Sequence, residues 1–196
     1  MTETTGKRPA LTVWIVSDGK PGHVNQSLGL AEALARATPT EIHRLPALPA
    51  WRAWLALLLR RAPGKSLPSP DLIVGAGHAT HMTLLAARRA RGGRAIVLMK
   101  PSLPRAWFDL CIVPRHDGIA ADTRTLVTEG ALNRMHAAAN RDMHHGLLLI
   151  GGISSHFEWD SDAIQLQIKS ILARTPDTHW TLTTSRRTPS EFLAEL

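Results

Sequence analysis

The chain has 196 residues, of which 44% are hydrophobic, and it carries a formal net charge of +7 at pH 7. This length and composition suit one globular domain or two small ones and exclude a fully disordered chain. The charge favours anionic partners, but the sequence has no zinc-finger, RNA-recognition or aromatic-basic repeat pattern, so we do not expect nucleic-acid binding.

Residues 1–10 are polar and aperiodic, which predicts a disordered tail before a first domain at 11–135. Strand-like runs alternate with helical ones along that domain, as in an α/β fold with a Rossmann-like, doubly wound parallel sheet. The single cysteine, Cys111, lies in one of these runs, which favours a packed thiol in a reducing compartment. The predicted strands are 12–17, 41–45, 71–74, 94–99, 110–113 and 125–128, and the predicted helices are those starting at 25 and spanning 51–60 and 80–91.

The pattern restarts after a polar, alanine-rich linker at 136–145. A strand at 147–150, a Gly-Gly turn, a helix and a strand at 180–183 predict the start of a second Rossmann-like domain at 146–196. The prediction of this helix depends on an apolar face formed by Ile164, Ile168, Ile171 and Leu172.

A further helix start is predicted near the end of the chain, where Thr188 takes the cap position, followed by Pro189 and Glu191. Two strands and one complete helix cannot bury both faces of a parallel sheet. We therefore expect the second domain to be truncated or to be completed by another chain.

The turn after the first strand is the first candidate site. Gly19 and Gly22 permit backbone conformations closed to other residues, Lys20 supplies positive charge, and His23 stands where the next helix begins. Imidazole can take up a proton near neutral pH, so His23 is a candidate general base, with Asp18 as a second catalytic candidate. The alternative is that His23 only caps or packs at the turn.

A second turn, from Gly75 through Gly77 to His78, also follows a strand and opens a helix. It resembles a dinucleotide fingerprint only superficially, because His81 stands where a third glycine is required. Two interpretations stay open: close packing of the helix against the strand, or a substrate-facing loop that carries His78 or His81. The spacing of these histidines does not indicate zinc, so we expect no metal.

Lys100 follows another strand, so it is a candidate contact for an anionic substrate at the same edge of the sheet. The carboxyl ends of neighbouring parallel strands converge on one crevice, and that placement is the argument for grouping these turns. A surface turn is the alternative for Lys100.

Two loops of the second domain combine glycines, hydroxyls and a pair of arginines. Such groups suit a cradle for a phosphate or diphosphate, because guanidinium makes bidentate contacts that lysine cannot reproduce. A solvated arginine pair is the alternative. The candidate phosphate-binding residues are Gly151, Gly152, Ser154, Ser155, Ser185, Arg186 and Arg187.

The predicted helix at 51–60 carries Trp51 and Trp54 on one face, with Arg60 and Arg61 at its end. Aromatic residues flanked by arginine suit shallow insertion at a lipid interface, whereas core burial is the ordinary alternative. No apolar run near the middle of the chain approaches the roughly 20 residues that a membrane span needs. We expect a cytoplasmic protein with peripheral contact to the inner face of the membrane.

Four segments, at 16–26, 126–134, 150–157 and 183–189, resemble the mitochondrial fission protein family, which was first named from a plant member and has many uncharacterised bacterial members. More remotely, the layout is similar to glycosyltransferases with two Rossmann domains (GT-B type), especially the membrane-associated enzyme that adds N-acetylglucosamine to a lipid-linked cell-wall precursor. In that group a Gly-His pair follows the first strand, as Gly22 and His23 do here.

The resemblance implies transfer of a sugar from a nucleotide-sugar donor to a lipid-linked or anionic acceptor at the membrane surface, without a metal or other cofactor. Its rival is a non-enzymatic, membrane-associated adaptor in which the helix at Trp51 carries the function. A dinucleotide-dependent oxidoreductase is disfavoured, because His43 and Arg44 stand where an acidic residue should close the second strand.

Overall fold

The structure is a computed structural model that describes residues 10–61, 63–137, 140–154 and 158–194. The predicted tail, apart from Ala10, and the candidate residue Ser155 lie outside this part of the chain. The chain divides into two compact units, of which the first ends at His136 and the second begins at Ala137.

The described residues of the first unit form a six-stranded sheet in which every neighbouring pair of strands is parallel. The strand order is β2-β1-β3-β4-β5-β6, so β2 is an edge strand and β1 lies between β2 and β3. The strands are β1 (Leu11–Ser17), β2 (Thr40–Pro46), β3 (Leu72–Ala76), β4 (Arg94–Leu98), β5 (Leu110–Pro114) and β6 (Thr125–Thr128). The helices are α1 (Pro21–Ala37), α2 (Ala50–Leu58) and α3 (His81–Arg91).

Helices cover both faces of this sheet. Alternate residues of β1 point in opposite directions, so Trp14 packs into a cluster that includes α3 and Leu57 of α2, while Ile15 packs into a second cluster with α1. Both side chains are fully buried. Because the two clusters lie on opposite faces, the predicted doubly wound, Rossmann-like α/β fold is confirmed.

Two helix starts differ from the predictions. Helix α1 begins at Pro21 rather than at 25, because proline has its φ already set for the first helical position and lacks only an N–H that would have no partner there. Helix α3 is preceded by a separate 3-10 turn at His78–Thr80. The strand before that turn, β3, continues through Gly75 and Ala76, two residues beyond its predicted end.

In the second unit, β7 (His145–Ile150) and β8 (His179–Thr184) form a parallel pair, accompanied by α4 (Ser161–Arg174) and α5 (Ser190–Ala194). Asp160 caps α4 by accepting a hydrogen bond from the N–H of Ala163. The predicted apolar face of α4 is only partly right, because Ile168 is buried whereas Leu172 is 42% exposed. On β7, Leu147 and Leu149 are exposed.

The predicted capping role of Thr188 is wrong. Helix α5 begins at Ser190, and the Thr188 hydroxyl instead donates a hydrogen bond to the Gly151 carbonyl at 2.5 Å. It also accepts one from the Ser185 N–H at 3.0 Å. The hydroxyl bonds to a residue far away in the sequence instead of to the N-terminus of α5. A local sequence pattern does not show such a long-range contact.

Candidate functional site

The carboxyl edge of the six-stranded sheet is where the first-unit candidates lie. The chain moves from β1 outward to β2, then returns to place β3 on the other side of β1, so the strand order reverses between β1 and β3. In open α/β sheets such a switch point leaves a crevice outside the strand ends, where ligands bind. Asp18 follows β1 and Gly77 follows β3, so their loops flank this point.

Asp18 and His23 form a hydrogen-bonded pair in the loop after β1. Asp18 Oδ2 lies 2.8 Å from His23 Nδ1, and the Lys20 N–H donates to Asp18 Oδ1 at 3.2 Å. The Asp18 side chain is 6% exposed and that of His23 is 19% exposed. Because α1 begins at Pro21, His23 falls in the first helical turn, where its ring can return to the carboxylate of the preceding loop.

The environment of Asp18 favours its ionised form. Burial acts to raise the pKa of this carboxyl, but the hydrogen bonds from His23 and from the Lys20 N–H, with the nearby positive charges, lower it overall. An ionised Asp18 accepts a hydrogen bond from Nδ1–H, and in that tautomer of the neutral ring the lone pair is on Nε2. Nε2 forms no hydrogen bond with any described residue. The contact with Asp18 thus fixes the orientation of the His23 ring.

The His23 ring lies against the backbone of Gly77. Gly77 has φ +83°, and a Cβ at this position would lie 2.5 Å from His23 Nδ1 and closer still to Cε1. A side chain at 77 would therefore displace the imidazole. Toward the His23 ring, Gly77 contributes a bare backbone surface. This contact links the loops after β1 and β3.

The remaining residues of the second turn have different surroundings. Gly75 is buried within β3, where a Cβ would lie 2.7 Å from Thr80 Oγ1 and 3.1 Å from Leu84 Cδ1. Close packing of strand, turn and helix thus accounts for Gly75, in place of the predicted substrate contact. His78 is exposed on the 3-10 turn at the sheet edge.

His81 does not face a substrate, which corrects one of the two interpretations of this turn. Its side chain is 1% exposed, with Nδ1 at 3.2 Å from Ser102 Oγ and the ring edge-on to Phe108. Burial, with a smaller effect of His78, lowers the pKa of His81 to about 4. The ring is therefore neutral at physiological pH and belongs to the core.

Contacts at the strand ends bring Lys100 to the same edge. Its N–H donates to Asp117 Oδ2 at 3.0 Å, which joins the loops after β4 and β5. Gln26 of α1 donates to Met99 Sδ at 3.3 Å and so ties the first helix to the loop after β4. The Lys100 ammonium is exposed and forms no ion pair within the described residues.

Gly19 and Gly22 are open to solvent. Gly19 has φ +80°, and a Cβ at either position would meet no atom within 4 Å. The backbone N–H groups of Gly22 and His23, in the first turn of α1, donate to no carbonyl among the residues described. With Lys20 exposed beside them, these N–H groups form an electropositive corner next to the Asp18–His23 pair.

Arg44, which in the sequence only argues against dinucleotide binding, is a residue of this edge that the sequence did not indicate. It lines a cavity of about 610 Å³ together with Asp18. Parallel pairing aligns Arg44 of β2 with Ile15 of β1, which carries the end of β2 to the same edge as the loop after β1. The position of Arg44 near the end of a predicted strand is the sequence feature that could have indicated its place at this edge. The full lining is Ser17, Asp18, Gly19, Arg44, Leu45, Pro46 and Ala47.

The two candidate loops of the second unit are joined by their backbones. A Cβ on Gly152 would overlap the backbone of Arg187 and Thr188, and the Ile153 N–H donates to the Arg187 carbonyl at 3.1 Å. The Gly151 carbonyl accepts the Thr188 hydroxyl. These glycines therefore allow the close contact between the loops.

The polar side chains of this loop pair divide into two kinds. Ser185 Oγ accepts a hydrogen bond from the Arg187 N–H at 3.1 Å, so this serine shapes the loop itself. Arg186 and Arg187 are exposed and form no ion pair with any residue that the structure describes. Ser154 follows Ile153 in the first loop. The two guanidinium groups are thus the available cationic contacts of this loop pair.

The α2 face with the two tryptophans is exposed, so the core-burial interpretation is wrong for it. Trp51 is 64% and Trp54 is 55% exposed, whereas Ala53 is the residue of α2 that is buried. Alanine allows the helix to approach the sheet closely, and the larger side chains are left on the outer face. Arg60 and Arg61 follow the helix and are exposed.

No described helix is long and apolar enough to cross a membrane. Within the described ranges, no three His, Cys, Asp or Glu side chains are arranged to hold a metal ion.

A comparison with curated proteins found no match, and a comparison with solved structures found none either. The sequence model of the family described as Mitochondrial fission ELM1 matches residues 21–196. That match includes His23 and both loops of the second unit, and by it the chain belongs to the mitochondrial fission ELM1 family.

Proposed function

We propose that this protein transfers a sugar from a nucleotide-sugar donor to a hydroxyl group of an anionic or lipid-linked acceptor at the cytoplasmic face of a membrane. The observation that carries the proposal is the Asp18–His23 pair, with its 2.8 Å contact, at the switch point of the sheet. A histidine oriented by a carboxylate is an arrangement that suits general-base catalysis.

In the proposed reaction, His23 Nε2 removes the proton from the acceptor hydroxyl. The hydroxyl oxygen then forms a bond to the anomeric carbon of the donor sugar, and the bond between that carbon and the diphosphate oxygen breaks. The nucleoside diphosphate leaves with the electron pair, and the proton remains on the imidazolium, which Asp18 stabilises. The exposed Lys20 and Lys100 supply positive charge for an anionic acceptor.

The second unit contributes the diphosphate contacts in this proposal. A departing diphosphate needs cationic stabilisation, and Arg186 and Arg187 are exposed cations on a loop whose shape is fixed by Thr188 and Gly151. Bidentate guanidinium contacts suit the two phosphates. The donor is a substrate, and the proposal requires no resident cofactor.

Two measurements on the full chain test the proposal. Isothermal titration with uridine and guanosine diphosphates should show binding that is lost when Arg186 and Arg187 are both replaced by alanine. Release of nucleoside diphosphate from UDP- and GDP-linked sugars, with a polyprenyl-diphosphate-linked sugar supplying the acceptor hydroxyl, should be lost in His23→Ala. The exposed His136 provides the matched control, since His136→Ala should leave both measurements unchanged.

The two measurements separate the parts of the proposal. If the His23→Ala variant still binds the free nucleoside diphosphates but no longer releases them from the sugar donors, the general base and the donor contacts are distinct, as proposed. If the wild-type chain binds neither diphosphate, the donor assignment is wrong.

An adaptor function is the second candidate, and the exposure of Trp51 and Trp54 is the observation that favours it. In this case α2 would recruit the protein to a membrane and the residues around His23 would serve only the fold. The His23→Ala variant distinguishes the two, because an adaptor keeps its membrane association and cellular phenotype while an enzyme loses turnover.

A further inference from the structure

Three elements of the first unit present one apolar and basic surface, which we call the α2–α3 surface: helix α2, the end of helix α3, and the 3-10 turn at Arg105–Trp107. We propose that the α2–α3 surface binds the headgroup region of bilayers that contain acidic phospholipids. This proposal is independent of the reaction at His23. It extends the contact predicted for α2 to residues of two other elements, Arg89 and Trp107.

The apolar part of the surface is continuous across these elements. Two adjoining concavities, of about 570 and 460 Å³, share Trp54, Leu57 and Arg89 in their linings. Trp107 lines the second concavity and is 43% exposed, although it lies far from α2 in the sequence. The other strongly exposed apolar side chains of α2 are Trp51, Leu55 and Leu58. Exposed apolar residues that cluster in this way mark an interaction site.

The charges around this apolar area have one sign. The sequence contains no Asp or Glu between Glu41 and Asp71, and none between Asp71 and Asp109. Asp109 forms an ion pair with Arg88 at 3.1 Å, so this nearby acid is already neutralised. On the α2–α3 surface, the exposed arginines that form no ion pair with a described residue are Arg52, Arg60, Arg61 and Arg89.

This combination fits a lipid surface. The indole of tryptophan has an apolar body and a polar N–H, which suits the headgroup level of a bilayer, and guanidinium groups pair with lipid phosphates. The Arg52 guanidinium lies 4.9 Å from the centre of the Trp51 ring, so an arginine and a tryptophan are presented together. The neighbouring carboxylates of Asp109 and Asp122 are each paired with an arginine, so the unpaired charges of the surface are positive and complementary to an acidic membrane.

Vesicle sedimentation tests the proposal, with the full chain and vesicles of phosphatidylcholine alone or mixed with phosphatidylglycerol. We expect binding to the acidic vesicles, weakening as salt rises, and little binding to the neutral ones. Reversing the charge at Arg60 and Arg61 to glutamate should reduce the partition coefficient by more than roughly 30-fold, since each lost arginine contributes about 1 kcal/mol and the glutamates add repulsion. Trp51→Ala with Trp54→Ala should also reduce binding, while their high exposure leaves the fold intact.

A matched control reverses two arginines in the last turns of other helices, Arg36 of α1 and Arg174 of α4. This control makes the same change in net charge and should retain most of the binding. Equal loss in the control and in the Arg60 and Arg61 variant would mean that net charge alone attracts the protein, which would overturn the proposal. Failure of the wild-type chain to bind acidic vesicles would do the same.

Self-association is the outcome that would reassign the surface. If sedimentation equilibrium shows a dimer that Trp51→Ala and Trp54→Ala disrupt, and the wild-type chain does not bind vesicles, the α2–α3 surface is an interface between two copies of the chain.

Discussion

The imidazole of His23 lies against the backbone of Gly77, at a distance that leaves no room for a Cβ on residue 77. The two residues belong to loops that follow β1 and β3, neighbouring strands at the point where the strand order reverses. The orientation of the candidate base therefore depends on two contacts, the carboxylate of Asp18 on one ring nitrogen and the bare backbone of Gly77 against the ring.

Gly77→Ala should disrupt this arrangement. Gly92→Ala is the matched control, because Gly92 also has positive φ (+78°) while a Cβ there would meet nothing within 4 Å. The control should lose about 1 kcal/mol of unfolding free energy from backbone strain. Gly77→Ala should lose roughly 1–3 kcal/mol more from overpacking and should shift the His23 ring signals in NMR spectra. Unchanged His23 signals in Gly77→Ala would contradict the contact.

The Asp18–His23 pair should make stability depend on acid pH. The folded-state pKa of Asp18 lies below its ordinary value of 3.8, so the unfolded chain binds the proton more readily. The contribution of Asp18 is fully present above about pH 4 and is lost as the pH falls through the folded-state pKa. Urea unfolding from pH 7 to 3 should therefore show a steeper loss of stability in the wild-type chain than in Asp18→Asn. Parallel profiles would show that the pair does not stabilise the fold.

His81 should make the unfolding free energy depend on pH in a different range from Asp18. Its folded-state pKa of about 4 lies below the ordinary value of 6.5, so between these values the unfolded chain binds a proton that the folded chain excludes. The contribution of His81 to the unfolding free energy should fall by on the order of 3 kcal/mol as the pH drops from 6.5 to 4, and this contribution should level off below pH 4. His81→Asn should lack this dependence whatever its absolute stability. The check is the difference between the two pH profiles.

The fold was largely predictable because its signals are local. Buried β-branched runs such as the one around Ile15 alternate with amphipathic helices, and that alternation determines the α/β class. The start of α1 was missed because Pro21 and Gly22 were assigned to the turn, although proline is favoured at the first helical position. Leu172 was assigned to a core face because periodicity does not show which side of a helix meets the sheet.

The second unit offers a test of its loop geometry. Thr188→Val removes the hydroxyl that donates to the Gly151 carbonyl and accepts from the Ser185 N–H, while it keeps the side-chain volume. We expect a loss of about 1 kcal/mol, because the exposed Gly151 carbonyl loses this partner while the Ser185 N–H keeps the Ile150 carbonyl at 3.1 Å. Thr188→Ser keeps the hydroxyl and should retain most of the stability in the same unfolding experiment. An unchanged unfolding free energy in Thr188→Val would contradict the role given to the hydroxyl.

The candidate site was predictable by its position rather than by its contacts. The rule that strand ends converge placed Asp18, His23, Gly77 and Lys100 at one edge from the sequence. That His81 is buried, that Gly75 serves packing and that Arg44 lines a cavity depend on strand register and side-chain direction, which require coordinates. The exposure of Trp51 and Trp54 was likewise undetermined, because an amphipathic helix can turn a tryptophan face inward or outward.

The position of β1 also affects how the chain folds during synthesis. This strand is made first, yet it pairs on one side with β2 and on the other with β3. Until Ala76 at the end of β3 has been synthesised, β1 has an unpaired edge of N–H and C=O groups that can recruit other chains. Nascent chains that stall before this residue therefore expose a central strand, and aggregation is expected to be highest during that interval.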